Sequence, residues 1–218
     1  MSGSRHVPPL GFHALTGLYD AVVARTMPET EFRARIVERA RPQPDERVLD
    51  LGCGTGELTL AVLANSPGAR VTALDPDQAA LAIATRKFGV GDLSVRALHG
   101  TSDHPGLERG GFDLVVSSLV LHHLSTPTKS RVLGELFLLL RPGGRVVIGD
   151  WAPARSFGDR LRFLPVRVLD GFGNTRANAR GELPELLAMA GLVDVVEGEP
   201  IHTVFGPLSV LTARRPDG

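Results

Sequence analysis

Strand-like and helix-like segments alternate five times between residues 47 and 151, and no other feature limits the possible folds as much. Short apolar runs stand at 47–51, 70–75, 93–98, 112–119 and 145–151, with helical stretches at about 57–65, 76–88 and 128–140. In the last of these, Val132, Leu133, Leu136, Phe137 and Leu140 share one side. Parallel strands need a crossover, and a helix is the usual one, so this rhythm predicts a parallel sheet with helices on both faces. The run "FDLVVSSL" lacks polar alternation, as expected of a strand covered on both sides. The fold class is α/β and doubly wound.

The flanks depart from that rhythm. Residues 1–12 are rich in Gly, Pro and Ser and read as a mobile arm ahead of a single domain over 13–218. Residues 13–45 read as a helical cap, in which Phe32, Ile36, Val37 and Ala40 share a face. Residues 152–180 hold several Arg, Phe and Gly without a clean period and read as a lid-like insert. A short helix follows at 183–190, then two strands, 192–198 and 202–215, with no helix between them and hence antiparallel.

The stretch "VLDLGCGTGEL" (48–58) interrupts a buried strand with Gly52, Gly54 and Gly56. Glycine inside a strand costs packing and backbone entropy, so a gain elsewhere must offset it. In an open parallel sheet, ligands sit beyond the carboxyl ends of the strands, where a glycine loop lets the backbone approach them. The next helix points unpaired N–H groups at the same place. The G-x-G-x-G spacing differs from the G-x-G-x-x-G that grips a dinucleotide pyrophosphate. Asp50 stands two residues before the first glycine, where it would repel a pyrophosphate but suit an ammonium or sulfonium. Asp75 ends the second strand and is placed to accept from both hydroxyls of a ribose. A nucleoside with a cationic amino-acid tail satisfies these demands, and S-adenosylmethionine is such a molecule.

The pieces "VLDLGCGTGE", "ALDPD", "FDLVVSSLVLHHL" and "LRPGGRVVIGD", in this order, resemble the class I S-adenosylmethionine-dependent methyltransferases. The sub-type is similar to the small-molecule branch that includes the quinone-biosynthesis C-methyltransferases. The resemblance implies a Rossmann-like seven-stranded sheet of order 3-2-1-4-5-7-6 with strand 7 antiparallel. It implies that Asp50 and the loop Gly52, Cys53, Gly54, Thr55 and Gly56 hold the methionine part of the cofactor. Asp75 would bind the ribose, Pro76 and Asp77 would flank the adenine, and Ser118 would meet the methionyl amino group through main chain. Tyr19, in a "YD" pair, would close over the cofactor. The acid this family usually carries after strand three is replaced by Thr101; either Asp103 or main chain around Thr101 and Ser102 takes over its contact to adenine.

His122 and His123 follow strand four at the cleft mouth and are the candidates for removing a proton from an acceptor, with a purely positional role as the alternative. Asp150 and Trp151 end strand five and either touch substrate or cap the next turn. Cys53 reads as a small buried filler, since no cationic neighbour is apparent to activate it. No acid or cysteine completes a metal-ligand spacing with the adjacent histidines, so no metal is expected. The arginines of 152–180 either recognise an anionic acceptor or form a solvated face. Phe157, Phe163, Leu164 and Phe172 suggest an apolar rim and a small, lipid-like acceptor.

Lys plus Arg and Asp plus Glu number 24 each, so no basic excess points to nucleic acid. No apolar run approaches the ~20 residues of a membrane span. A single cysteine and the lack of an apolar signal core fit a cytoplasmic protein. Two alternatives stand beside an enzyme of this family: a non-catalytic S-adenosylmethionine-binding module, and an NAD-dependent oxidoreductase, which the loop spacing and Asp50 disfavour.

Overall fold

The computed structural model describes residues 29–89 and 95–217. The arm expected over 1–12, Tyr19 and the first part of the expected cap lie outside the described residues. The described part of that cap is helix α1 (Glu29–Ala40).

The sheet forms as the alternation predicts. Strand β1 (Arg47–Leu51) lies parallel between β2 (Arg70–Asp75) and β4 (Phe112–Ser118). Beyond β2 lies β3 (Val95–His99), and beyond β4 lies β5 (Leu140–Trp151), both parallel to their neighbours. Helices α2 (Glu57–Asn65), α3 (Gln78–Gly89) and α4 (Thr126–Leu139) follow β1, β2 and β4. A Ser125 side chain caps α4, with proline in its first turn. Among the described residues no helix is long and apolar enough to cross a membrane.

The two faces of β4 explain its unbroken apolar run. Leu114 and Val116 pack with Phe32, Ile36 and Val62, while Phe112 and Val115 pack with Leu133, Leu136 and Ile148 on the other side. Arg145 on β5 fastens α1 to the sheet. It donates to both carboxylate oxygens of Glu46 (2.7 and 2.8 Å) and to the terminal carbonyls Ala40 O (2.8 Å) and Arg41 O (2.9 Å), which α1 leaves unpaired.

The C-terminal part carries two differences from the sequence reading. The segment 152–180 contains a fourteen-residue helix, α5 (Phe157–Asp170), opened by a capping box between Ser156 and Asp159, and a short helix α6 (Arg176–Arg180). Its apolar residues lie on both sides: Phe163 and Val166 are buried, while Leu161 and Val168 are each 62% exposed. That spread, with Pro165 inside the helix, hides the period. After α7 (Leu183–Met189) and β6 (Val193–Glu197), the expected last strand is split into β7 (Ile201–Thr203) and β8 (Gly206–Arg214). Thr203 Oγ1 makes the turn, donating to Gly206 O (2.7 Å) and accepting from Phe205 N (3.1 Å). The sheet order is β3-β2-β1-β4-β5-β8-β6, and β8 runs antiparallel to β5 and β6, in the place expected of strand 7.

Helix α1 sits so close to β5 that a Cβ on Gly149 would press into Ile36 Cδ1 and come within 2.7 Å of the Phe32 ring. Gly149→Ala should therefore cost about 1–3 kcal/mol in urea unfolding. Adding Ile36→Ala should recover part of that loss, so the double variant should be less destabilised than the sum of the two single ones.

Candidate active site

The glycine loop is pinned between two strand ends. Leu74 O accepts from both Gly52 N (2.8 Å) and Cys53 N (3.0 Å), which seats the loop on the end of β2. Gly52 has φ 71°, and a Cβ there would collide with Val120 after β4, so the loop also abuts the fourth strand's exit. At the tip, Gly54 has φ 52° with open space where a side chain would point. The Asp75 carboxylate holds this tip, Oδ2 accepting from Gly54 N and Oδ1 from Asp77 N, both at 2.7 Å. Each oxygen keeps a second lone pair, as many as two ribose hydroxyls need. Lys87 of α3 reaches back to Thr55 O (2.9 Å) and Glu57 (2.5 Å), a tether that the sequence reading did not include. Cys53 packs against Ala73, Leu81, Ala84 and Phe88. Burial, with Asp50 and Asp75 adding to it, pushes its thiol pKa up, which suits filler and not a nucleophile.

Asp50 is fully buried. Its Oδ2 accepts from Thr59 Oγ1 at 2.6 Å, but Oδ1 has no partner. Burial, reinforced by the charge of Asp75, raises its pKa from 3.8 to about 7. An unpaired buried carboxylate oxygen is costly unless a donor or cation arrives. The amino-acid end of S-adenosylmethionine would supply one, so the residues present fit that molecule.

On the far side of β2, Gly100 N donates to Asp75 O (2.9 Å), which brings the end of β3 beside Pro76. Asp103 is committed to Thr101 Oγ1 and to Arg131 at 3.2 Å. Ser102 is buried, and its hydroxyl has no partner. Asp103 is therefore already engaged, whereas the Ser102 hydroxyl is not. Asp77 is occupied as a cap, accepting from Ala79 N (2.8 Å) and Ala80 N (3.2 Å) at the start of α3.

Beyond β4, half-buried Ser118 pairs in register with Gly149. The next turn, Leu121–His123, is built around Asp150. That carboxylate, itself inaccessible to solvent, accepts from Leu121 N (2.8 Å), Trp151 N (2.7 Å) and Asn178 Nδ2 (3.1 Å), and holds His122 Nδ1 at 2.9 Å. Burial alone would raise its pKa, but His122 and the Trp151 N–H hold it below the usual carboxylate value. Asp150 is thus engaged with protein donors from three elements. It joins the exits of β4 and β5 to α6.

Asp170, at the end of α5, reaches the same cluster. Its carboxylate lies 3.0 Å from His123 Nδ1 and 3.7 Å from His122 Nε2. Burial works against a charged His123, yet the hydrogen bond and charge of Asp170 raise its pKa overall. His122 is buried, and the His123 side chain is 57% exposed. His122, His123 and Asp170 have ligand atoms within 4.8 Å of one another, a spacing that can hold a cation. This corrects the reading that no acid completes the pair: the acid comes from a distant helix, where no sequence spacing could reveal it. Lys129 braces the cluster from below, donating at 2.5 Å to Leu124 O and Asn174 O. Burial lowers its pKa to about 8.

Residues 48–144 match the family described as a methyltransferase domain. The chain is 35% identical over 147 residues to the demethylmenaquinone methyltransferase of Thermus thermophilus; the alignment covers 66% of each, so it spans just under two thirds of that relative. It is 35% identical over 205 residues to the trans-aconitate 2-methyltransferase of Deinococcus radiodurans, covering 84% of this chain and 71% of the relative. Its fold is similar to that of phosphoethanolamine N-methyltransferase 2 of Haemonchus contortus, solved with phosphomonomethylethanolamine and S-adenosylhomocysteine. There the TM-score is 0.70 at 15% identity, over 85% of this chain and 52% of the other.

The strained charge of Asp50 has a signature in stability. Between its ordinary value of 3.8 and about 7 the native state keeps a proton that the unfolded chain releases, so stability falls as pH rises through that window. Asp50→Asn, which can still accept from Thr59, should therefore stabilise the ligand-free protein at pH ~8 by up to about 4 kcal/mol, at about 1.4 kcal/mol per pKa unit. The gain should vanish near pH ~4. The same variant should bind S-adenosylhomocysteine more weakly in calorimetry.

Proposed function

Since the chain belongs to the class I S-adenosylmethionine-dependent methyltransferases, we propose that it transfers a methyl group by in-line displacement onto a small-molecule acceptor. The observation that carries this reading is the unpaired Oδ1 of buried Asp50, beside the Asp75 carboxylate and the open backbone of Gly54. When bound, S-adenosylmethionine supplies the electrophilic methyl group. The protein's tasks are alignment and exclusion of water; orientation can contribute on the order of 7–11 kcal/mol at best.

In this proposal Asp50 and the loop over 52–56 hold the methionine end, with the main chain of Ser118 opposite. Asp75 takes the ribose hydroxyls, and Pro76, Thr101 and Ser102 surround the adenine. Tyr19 stays in the scheme as a closing residue from outside the described residues. Of the two histidines, His122 is the better candidate for accepting a proton from an acceptor that must lose one. Asp150 favours the tautomer with the proton on Nδ1, so Nε2, with Asp170 3.7 Å away, is the nitrogen that would take the proton. His123 then serves to hold Asp170 at the end of α5.

The relatives' names point to unlike acceptors, so the acceptor class must come from this chain. Phe157 (81% exposed), Leu161 and Phe172 support an acceptor with an apolar body. Phe163 is buried beneath them, its ring 5.3 Å from Trp151.

Incubation with methyl-tritiated S-adenosylmethionine and fractionated small-molecule extracts should give a labelled low-mass product under single turnover. Label that leaves only as intact cofactor would speak for the non-catalytic module. Asp75→Ala should weaken S-adenosylhomocysteine binding by about 1–3 kcal/mol, the scale of a lost charge-assisted hydrogen bond. With the acceptor in hand, His122→Asn should lower kcat by about 10²-fold or more, the scale of a lost general base, while leaving S-adenosylhomocysteine affinity unchanged; an unchanged kcat would remove the role.

A further inference from the structure

Five of the arginines in the segment after β5 converge on one open cavity, four of them solvent-exposed and Arg167 half-buried. Arg155 precedes α5, Arg160 and Arg167 stand seven apart on one side of it, and Arg176 and Arg180 stand four apart on α6; all five line one cavity of about 860 Å³. The chain as a whole is neutral, so this is a local excess. One acid, Glu197, faces the cavity, and its carboxylate accepts from Ser209 Oγ at 2.8 Å. Arg180 lies 3.6 Å from Glu182, and Arg160 Nε donates to Ala154 O at 3.4 Å. Arg155, Arg167 and Arg176 form no ion pair among the described residues. Arg167 is the most telling of the three. Its Nε is buried without an acceptor, and its guanidinium lies 4.7 Å over the ring of Phe172.

A cluster of unpaired guanidiniums is self-repelling, and a buried cationic donor without an acceptor costs stability. A carboxylate or phosphate relieves both, and the planar fork of arginine matches the oxygens of either. Phe172 and the buried edge of Phe163 supply the apolar wall. We infer that this cavity binds the anionic end of an amphiphilic organic anion, a carboxylate or phosphate joined to an apolar body, as the non-reacting part of the acceptor. The assignment to the acceptor rests on the methyl-transfer reading; the anion site itself does not. Helix α6 links the two regions, because Asn178, between Arg176 and Arg180, bonds to Asp150, which holds His122. An anion seated on α6 would thus be fixed relative to that imidazole, and binding energy from a remote group would serve alignment.

The test uses decanoate, decyl phosphate and decanol in calorimetry with the full chain, each with and without S-adenosylhomocysteine. At least one anion should bind once per chain and at least about tenfold more tightly than decanol, and the stronger of the two identifies the headgroup. Arg167→Gln and Arg176→Gln should each weaken that anion by about tenfold or more, with S-adenosylhomocysteine affinity unchanged and a melting temperature no lower than that of the wild type. Decanol binding as tightly as both anions, or variants that bind the anion as wild type does, would overturn the site. Failure of methyl transfer with anion binding intact would instead remove the acceptor assignment and the proposed function, and leave the anion site standing.

Discussion

The carboxylate of Asp150 is the fixed point of the sheet's C-terminal edge. It takes donors from the turn after β4, from its own strand and from α6, and it holds His122, all out of contact with water. So many charge-assisted bonds more than offset the cost of burying one charge, which is why the group stays ionised. Its contribution to stability is present above the ordinary carboxylate range and is lost as acid protonates it. Remove it and His122, α6 and the arginines that α6 carries lose their common anchor.

Asp50 occupies an equivalent setting and behaves in the opposite way. Both aspartates lie in the C-terminal part of a parallel strand with no exposed surface. Asp50 has a single hydroxyl donor on one oxygen and nothing on the other, so burial prevails and its pKa rises. The contrast separates a finished structural site from one that a ligand must complete. Ser102, after β3, and Arg167, in the arginine cavity, likewise each have a buried polar atom lacking a partner.

Much of this was legible from local pattern. The alternation of strand and helix, the glycine loop and the two aspartates fix the central sheet, because burial on two faces and backbone approach to a ligand leave marks on neighbouring residues. Helix α5 carries a capping pair, Ser156 and Asp159, three residues apart, yet apolar residues on both its sides mask its period in the sequence. The last strand looks continuous in the sequence because nothing in its composition announces that Thr203 folds the chain back.

The sequence by itself determined the doubly wound sheet and the glycine loop at the tip of β1, set between Asp50 and Asp75, since these depend on residues close together in the chain. Only the tertiary structure decided what Asp150, Asp170 and the arginines do. Asp150 meets Asn178 across 28 residues, and Asp170 meets histidines on another element altogether. Partners that far apart are brought together by the packing of helices on a sheet, and periodicity carries no information about which distant side chain arrives.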